Sequence, residues 1–245
     1  MIIQQHSHDI DTPTGSMRTY IYRPKAQGRF PSIIFYSEIF QHTAPIARTA
    51  ALMAGHGFVV FVPEVFHELN PIGTALNYDD AGKVKGNQDK STKPLEHHDS
   101  DTQALVYFIQ QQDYCTHRIG SMGVCIGGHL AYRAALNENI LATACLYATD
   151  IHSGNLPCNE GNDSLTRTKD ITTELLMIWG KQDPHIPDEG RMKIHQNLIT
   201  SGNVFAWHEF NASHAFMRDG GEFYDPQLAL RVYGMFVELF NRALT

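Results

Sequence analysis

The chain has 245 residues, 42% of them hydrophobic, and a net charge of −7 at neutral pH. This length suffices for one large α/β domain with a sizeable core, so we expect residues 1–245 to form a single domain. The negative charge and the lack of lysine or arginine runs argue against a nucleic-acid partner. The N-terminus lacks signal-peptide features and no apolar run is long enough to span a bilayer, so we expect no membrane association.

The first part of the chain has the pattern of strands and one helix. Proline and glycine at 12–16 punctuate a predicted hairpin over residues 2–22. Residues 31–36 are almost continuously apolar, which is typical of a strand covered on both faces. This strand ends just before Glu38, so a carboxylate follows a central strand where open α/β sheets bind ligands. A helix and a second buried strand are predicted over 45–56 and 58–63.

Residues 64–98 differ from the rest of the chain. They are rich in asparagine, aspartate, glycine and lysine, and they have little apolar periodicity. A structureless connection of this length within a compact domain is usually functional, so we predict a lid or binding loop. A disordered insertion facing the solvent is the alternative. We expect the next helix to begin with Asp99 as its cap and to end near Gln112.

A sharp turn between a strand and a helix is predicted around Cys125. The apolar run 119–124 leads into this cysteine, and apolar residues then continue at helical spacing. Gly123, Cys125 and Gly127 have the spacing of the G-x-S-x-G nucleophile elbow, with cysteine in place of serine. A nucleophile there lies at a helix N-terminus, which favours a thiolate. The alternative is a buried cysteine in a turn of small residues.

The rest of the chain continues the alternation of strands and helices. Strands are predicted at 140–148, 175–180 and 204–210, and helices at 188–202 and from 225 onwards, with a polar loop at 149–169. We therefore predict an α/β fold with a mostly parallel central sheet flanked by helices on both faces.

Cys125, Asp183 and His214 follow three of the predicted strands, in the chain order nucleophile, acid, histidine. His214 would take the thiol proton, and Asp183 would fix the imidazole tautomer. The backbone N–H of Ile126 is a candidate oxyanion donor. Alone, Asp183 could be a turn or cap residue and His214 a surface or core residue. Because all three occur together in this order, we predict a catalytic triad.

With these residues the chain resembles the dienelactone hydrolase family, α/β-hydrolases with a cysteine nucleophile. The resemblance is carried by four motifs, which are residues 37–40 (SEIF), 123–128 (GVCIGG), 179–184 (WGKQDP) and 214–218 (HAFMR). It implies an α/β-hydrolase fold and the same triad. It also implies that Glu38 helps to deprotonate the thiol, that the amide of Ile39 joins the oxyanion hole and that Arg218 binds a substrate carboxylate. A solvated loop glutamate is the other interpretation of Glu38.

The sequence departs from this family before the elbow, where residues 73–93 are polar and unlike the usual lid. Dienelactone-cleaving members have a second substrate-binding arginine before the elbow, whereas this chain has none between Arg48 and Arg118. A lysine could supply the charge without the bidentate fork of arginine, and the candidates are Lys83, Lys85, Lys90 and Lys93. We therefore predict cleavage of a small carboxylic ester or lactone through a cysteine acyl-enzyme, and leave the natural substrate and the acceptance of dienelactone open.

We expect no metal and no organic cofactor, because acyl transfer to a thiol needs neither. Cys115, Cys125, Cys145 and Cys158 lack zinc-type spacing, which favours free thiols and a cytoplasmic protein. A monomer or a small homo-oligomer is expected. Three alternatives remain: a peptidase, disfavoured because thiolates leave more readily than amines; a non-catalytic protein that binds a small acid or a protein partner; and a redox sensor at Cys125.

Overall fold

The computed structural model describes residues 1–157 and 162–245; Cys158, predicted to be a free thiol, lies outside them. The described residues form eight strands: β1 (Ile3–Thr12), β2 (Gly15–Pro24), β3 (Phe30–Tyr36), β4 (Val59–Pro63), β5 (Cys115–Val124), β6 (Ile140–Leu146), β7 (Glu174–Gly180) and β8 (Phe205–Phe210). They also form six α-helices: α1 (Ala44–Gly55), α2 (Asp80–Thr92), α3 (Leu95–Gln110), α4 (Ile126–Ala134), α5 (Asp188–Thr200) and α6 (Pro226–Leu244). A short 3₁₀ helix spans Thr166–Asp170.

All eight strands belong to one sheet with the order β1-β2-β4-β3-β5-β6-β7-β8. β2 is antiparallel to both β1 and β4, and the other neighbouring pairs are parallel. The predicted mostly parallel sheet is therefore confirmed, and so is the N-terminal hairpin. β3 and β4 are buried along almost their whole length, which explains their nearly continuous apolar sequences.

Helices cover both faces of this sheet, as predicted. Successive residues of β5 show this, because side chains of a strand alternate between its faces. A Cβ atom on Gly120 would lie 2.7 Å from the ring of Phe240 in α6. The hydroxyl of Ser121, the next residue, donates to the carbonyl of Ala131 in α4 at 3.3 Å. Helices α4 and α6 therefore lie on opposite faces of the central strand.

The prediction of a structureless segment over 64–98 is wrong. This segment contains α2 and the first residues of α3. The α2 helix is capped by Asp79, whose side chain accepts from the N–H of Gly82 at 2.8 Å. Its inward-facing residues include Gly82, Gly86 and Asp89, which are small or polar. A search for apolar periodicity misses such a helix. Whether it acts as a lid is a separate question that stays a prediction.

The predicted start of the next helix also needs correction. Helix α3 begins at Leu95 after Pro94, so Asp99 lies inside the helix and is not its cap. Asp99 instead accepts from the guanidinium of Arg133 in α4 at 2.6 and 2.9 Å. Within the described residues, no helix is both long enough and apolar enough to cross a membrane.

Candidate active site

The turn between β5 and α4 needs glycine on both sides of Cys125. A Cβ atom on Gly123 would lie 1.9 Å from the carbonyl oxygen of Gly127. A Cβ atom on Gly127 would lie 2.2 Å from the carbonyl oxygen of Tyr36, at the end of β3. Neither backbone atom can move away as a flexible side chain could. Glycine therefore allows α4 to start directly against the carboxyl ends of β5 and β3.

Cys125 itself has strained backbone angles, φ 58° and ψ −126°. Such a conformation costs of order 1–3 kcal/mol in a residue with a side chain and persists only where its surroundings enforce it. Here the N–H of Cys125 donates to the carbonyl of Leu146 at 3.1 Å, and its own carbonyl accepts from Thr149 at 3.2 Å. These bonds hold the thiol, which is partly exposed, in the cavity at the carboxyl end of the sheet.

His214 and Asp183 are brought together at the same end of the sheet. Asp183 follows β7 and His214 follows β8. Nδ1 of His214 lies 2.6 Å from Oδ2 of Asp183, whose carboxylate is almost fully buried. The other carboxylate oxygen accepts from the N–H of His185 at 2.8 Å. This arrangement orients the remaining ring nitrogen of His214 away from Asp183, and Cys125 is near enough to raise the pKa of His214.

The pKa of His214 reflects three opposing influences. Burial lowers it, but the charge of Cys125 and the hydrogen bond that His214 donates to Asp183 raise it, and the outcome is a pKa of about 10. A histidine that keeps its proton at neutral pH beside a thiol favours a thiolate–imidazolium pair. The site therefore places a cationic imidazole beside the Cys125 thiol.

Glu38 follows β3, and its carboxylate is almost fully buried at the cavity that also contains Cys125 and His214. It accepts a hydrogen bond of 2.6 Å from the hydroxyl of Tyr78, and its other oxygen lies 3.5 Å from Nη1 of Arg218. Burial raises the pKa of Glu38, while Arg218 and Tyr78 oppose the rise. The guanidinium of Arg218 is also stacked 4.3 Å above the ring of Tyr78. Glu38 is therefore a buried, partnered carboxyl, which excludes the solvated loop glutamate.

Two backbone amides belong to residues that line or border the cavity of Cys125. Ile126 is the first residue of α4, where helix geometry leaves the N–H without an intrahelical acceptor. Ile39 lines the same cavity as Cys125, and within the described residues its N–H has no hydrogen-bond acceptor. Helix α2 packs closely on this segment, since a Cβ atom on Gly86 would lie 2.8 Å from the carbonyl oxygen of Ile39.

Cys125, His214, Glu38, Ile39 and Arg218 line one cavity of about 420 Å³. Asp183 lies behind His214 and Ile126 beneath Cys125, so both are buried next to the cavity. One face of α2 completes the wall with side chains at helical spacing, which are Lys83, Asn87 and Lys90.

The four lysines proposed from sequence have different environments. Lys83 and Lys90 line the cavity, and Lys90 is paired with Asp150 at 2.9 Å. Lys85 is instead paired with Asp89, and Lys93 is fully buried with Nζ 2.5 Å from Asp101. Lys83 is exposed, and within the described residues its ammonium has no carboxylate partner. In the part of the chain that the structure describes, there is no group of three or more His, Cys, Asp or Glu arranged to hold a metal ion.

The residues of this cavity and its border that sequence reasoning missed include Tyr78, Asn87, His185 and Phe223. Tyr78 is 40 residues from Glu38 in the chain, and no local pattern connects the two. Asn87 would have been found only with α2 itself. His185 could have been inferred from its position two residues after Asp183.

Comparison with known proteins agrees with this geometry. Residues 17–244 match the family model described as the dienelactone hydrolase family. A Saccharomyces cerevisiae protein named "putative carboxymethylenebutenolidase" is 38% identical over 261 residues, covering 100% of this chain and 93% of its own. Carboxymethylenebutenolidase of Pseudomonas putida is 22% identical, covering 81% and 80%. A crystal structure titled as a putative dienelactone hydrolase from Klebsiella pneumoniae shares the fold, with a TM-score of 0.87, 21% identity and coverage of 99% and 100%.

Proposed function

The chain belongs to the dienelactone hydrolase family, and from that premise we propose that it hydrolyses a small carboxylic ester or lactone through an acyl-enzyme on Cys125. One observation carries the assignment of residues. A partly exposed cysteine in a strained elbow shares a cavity with His214, whose Nδ1 is held 2.6 Å from Asp183. A nucleophile, a base and a group that orients the base are the parts that acyl transfer requires.

Acylation starts from the thiolate–imidazolium pair. Sγ of Cys125 attacks the carbonyl carbon, and the carbonyl oxygen becomes an oxyanion that accepts from the amides of Ile39 and Ile126. The C–O bond then breaks, and His214 gives its proton to the leaving oxygen. The products of this half-reaction are a thioester on Cys125, a neutral His214 and a free alcohol, or the hydroxyl end of an opened lactone.

Deacylation reverses these roles. The thioester no longer carries the negative charge that raised the pKa of His214, so the imidazole can act as a base. His214 takes a proton from water, and the water oxygen attacks the thioester carbon. The C–S bond then breaks, which releases the acid and restores the thiolate beside the imidazolium. The sum is one ester and one water converted to one acid and one alcohol.

Glu38 and Arg218 prepare this reaction. A carboxyl whose pKa is raised by burial is suited to exchanging a proton with a neighbouring thiol. Arg218 holds Glu38 now, and a substrate carboxylate would compete for the same guanidinium. Substrate binding would thereby free Glu38 to accept the proton wherever Cys125 is still a thiol, which raises the fraction of thiolate when the site is occupied.

Mass spectrometry of the intact protein tests the proposal. Wild type and Cys125→Ala are each exposed briefly to an activated ester, and any adduct is located by peptide digestion. We expect a transient acyl adduct on Cys125 that disappears as acid forms, and neither adduct nor turnover in the variant. An equal turnover by the Cys125→Ala variant would refute the role of the thiol. Failure of every ester and lactone to react, with a ligand still stabilising the fold, would favour the non-catalytic binding protein.

A further inference from the structure

Phe223 is the large apolar side chain of the cavity wall that remains most open to solvent. It is 50% exposed, and within the described part of the chain its ring contacts no other aromatic ring. A half-exposed phenyl group within a catalytic cavity offers apolar surface that a ligand can cover. Nothing in the catalytic steps above uses this residue.

The backbone holds Phe223 at a fixed place relative to the catalytic histidine. The chain from His214 to α6 consists of successive tight turns, closed by backbone hydrogen bonds from Gly221 to Arg218 at 2.9 Å and from Tyr224 to Gly221 at 3.2 Å. The N–H of Asp225 also donates to the carbonyl of Phe216 at 3.0 Å. Both ends of the short segment that carries Phe223 are therefore anchored, and the side chain starts from a fixed backbone position at the cavity wall.

The size and the apolar lining of the cavity also favour a ligand that contacts Phe223. About 420 Å³ lies in the range of cavities that enclose drug-sized ligands, which is more than an acetyl ester or an unsubstituted lactone ring needs. Further apolar side chains share the wall with Phe223, which are Ile39, Phe40, Pro184 and Ala215. A substrate that left this wall in contact with water would forgo the hydrophobic gain.

We propose that Phe223 determines specificity by packing against an alkyl or aryl substituent of the substrate, so that the enzyme prefers substituted esters or lactones over the smallest ones. The inference rests on the proposed hydrolysis at Cys125 and adds the class of substrate. Phe223 takes no part in the bond changes. Its contribution is contact area that grows with the substituent.

Two ester series test the proposal in wild type, Phe223→Ala and Phe223→Leu. One series keeps a nitrophenyl leaving group and lengthens the acyl chain from acetate to hexanoate; the other keeps acetate and enlarges the alcohol. We expect wild-type kcat/KM to rise with size in at least one series, and Phe223→Ala to lose about tenfold on the largest member but less than about threefold on the smallest. Phe223→Leu should retain most of the preference.

Leu230→Ala is the matched control, because Leu230 is 72% exposed on α6 and does not line the cavity. Equal losses on small and large esters in Phe223→Ala, or no loss on any, would overturn the role of Phe223. Either result with a normal Cys125 adduct leaves the hydrolase proposal intact. Absence of the adduct in wild type with every ester would instead remove the proposed function itself.

Discussion

Nδ1 of His214 lies 2.6 Å from Oδ2 of Asp183, while the other oxygen of that carboxylate accepts from the backbone of His185. The carboxylate is almost completely buried, so it can form few other hydrogen bonds. Its two hydrogen bonds fix both the position of the carboxylate and the tautomer of the imidazole. Replacing the oxygen next to His214 should therefore affect the chemistry far more than the fold.

Asp183→Asn is expected to lower kcat/KM by about 10³ to 10⁴-fold, because an amide nitrogen facing Nδ1 would favour the wrong tautomer. Steady-state kinetics on an activated ester give the loss. Circular dichroism and a thermal melt serve as the control for folding. Activity within about tenfold of wild type would show that Asp183 does not orient His214.

The second prediction concerns the protonation of His214. Its pKa of about 10 depends partly on the charge of Cys125, so we expect NMR titration to give a midpoint near 10 in wild type and a lower one in Cys125→Ala. Asp183 remains in both proteins, so the difference between the two midpoints measures the effect of the thiolate charge on the pKa of His214. Identical midpoints would mean that the thiolate and the imidazolium are not paired.

The same shift has a consequence for stability. The folded-state pKa of His214 is raised above the ordinary histidine value of about 6.5 to about 10. Its protonation therefore stabilises the folded state fully below about pH 6.5, and the stabilisation is lost as pH rises towards 10. Denaturant unfolding of wild type should show this decline between the two values. The decline should be shallower in Cys125→Ala, and equal slopes would contradict it.

Tyr78→Phe should move the acid limb of the pH profile to higher pH. The hydroxyl of Tyr78 donates to Glu38 at 2.6 Å and favours its charged form, opposing the rise that burial causes in the pKa of Glu38. Without that bond the carboxyl should stay protonated to higher pH, because the charged form loses a hydrogen bond that favours it. The pH dependence of kcat/KM measures the shift. An unchanged acid limb would exclude Glu38 as the group that titrates there.

Local patterns in the sequence are enough to predict the elbow, because Gly123, Cys125 and Gly127 lie within five residues and each glycine has a steric reason. They also predict the alternation of strands and helices along the chain and the mostly parallel sheet. Helix α2 is missed because it is held by polar contacts and by the close approach of Gly86 to Ile39, which leave no apolar stripe. Contacts between residues that are far apart in the sequence cannot be predicted from local patterns either.

The lysines between 83 and 93 illustrate the same limit. Charge alone made four of them equivalent candidates for binding an anion. In the structure Lys93 is fully buried against Asp101, whereas Lys83 faces the cavity. The two residues lie at different positions around α2 and the turn that follows it, so their side chains have different surroundings. Which lysine ammonium can reach a substrate depends on the position of that lysine on α2 and on how the helix packs against the cavity.

Gly127→Ala should destabilise the elbow strongly. Its Cβ atom would lie 2.2 Å from the carbonyl oxygen of Tyr36, so β3 and α4 would have to separate. We expect a loss of more than about 3 kcal/mol of folding free energy, or no folded protein, because overpacking against backbone cannot be relieved by a rotamer change. Gly234→Ala is the control: a Cβ atom there meets nothing within 4 Å on α6, and the change should be neutral or stabilising by up to about 1 kcal/mol.

Lys83→Gln should weaken the binding of anionic substrates specifically. Lys83 faces the cavity without a carboxylate partner, and removing an exposed charge of this kind costs up to about 1 kcal/mol, or roughly fivefold in KM. Kinetics on an ester that carries a carboxylate and on its neutral methyl-ester analogue separate charge from fit. Only the anionic substrate should lose affinity, and the loss should shrink at high salt. Lys85→Gln on the same helix is the matched control, since Lys85 pairs with Asp89 outside the cavity lining. Equal effects of both substitutions, or equal effects on both substrates, would show that Lys83 does not bind the substrate anion.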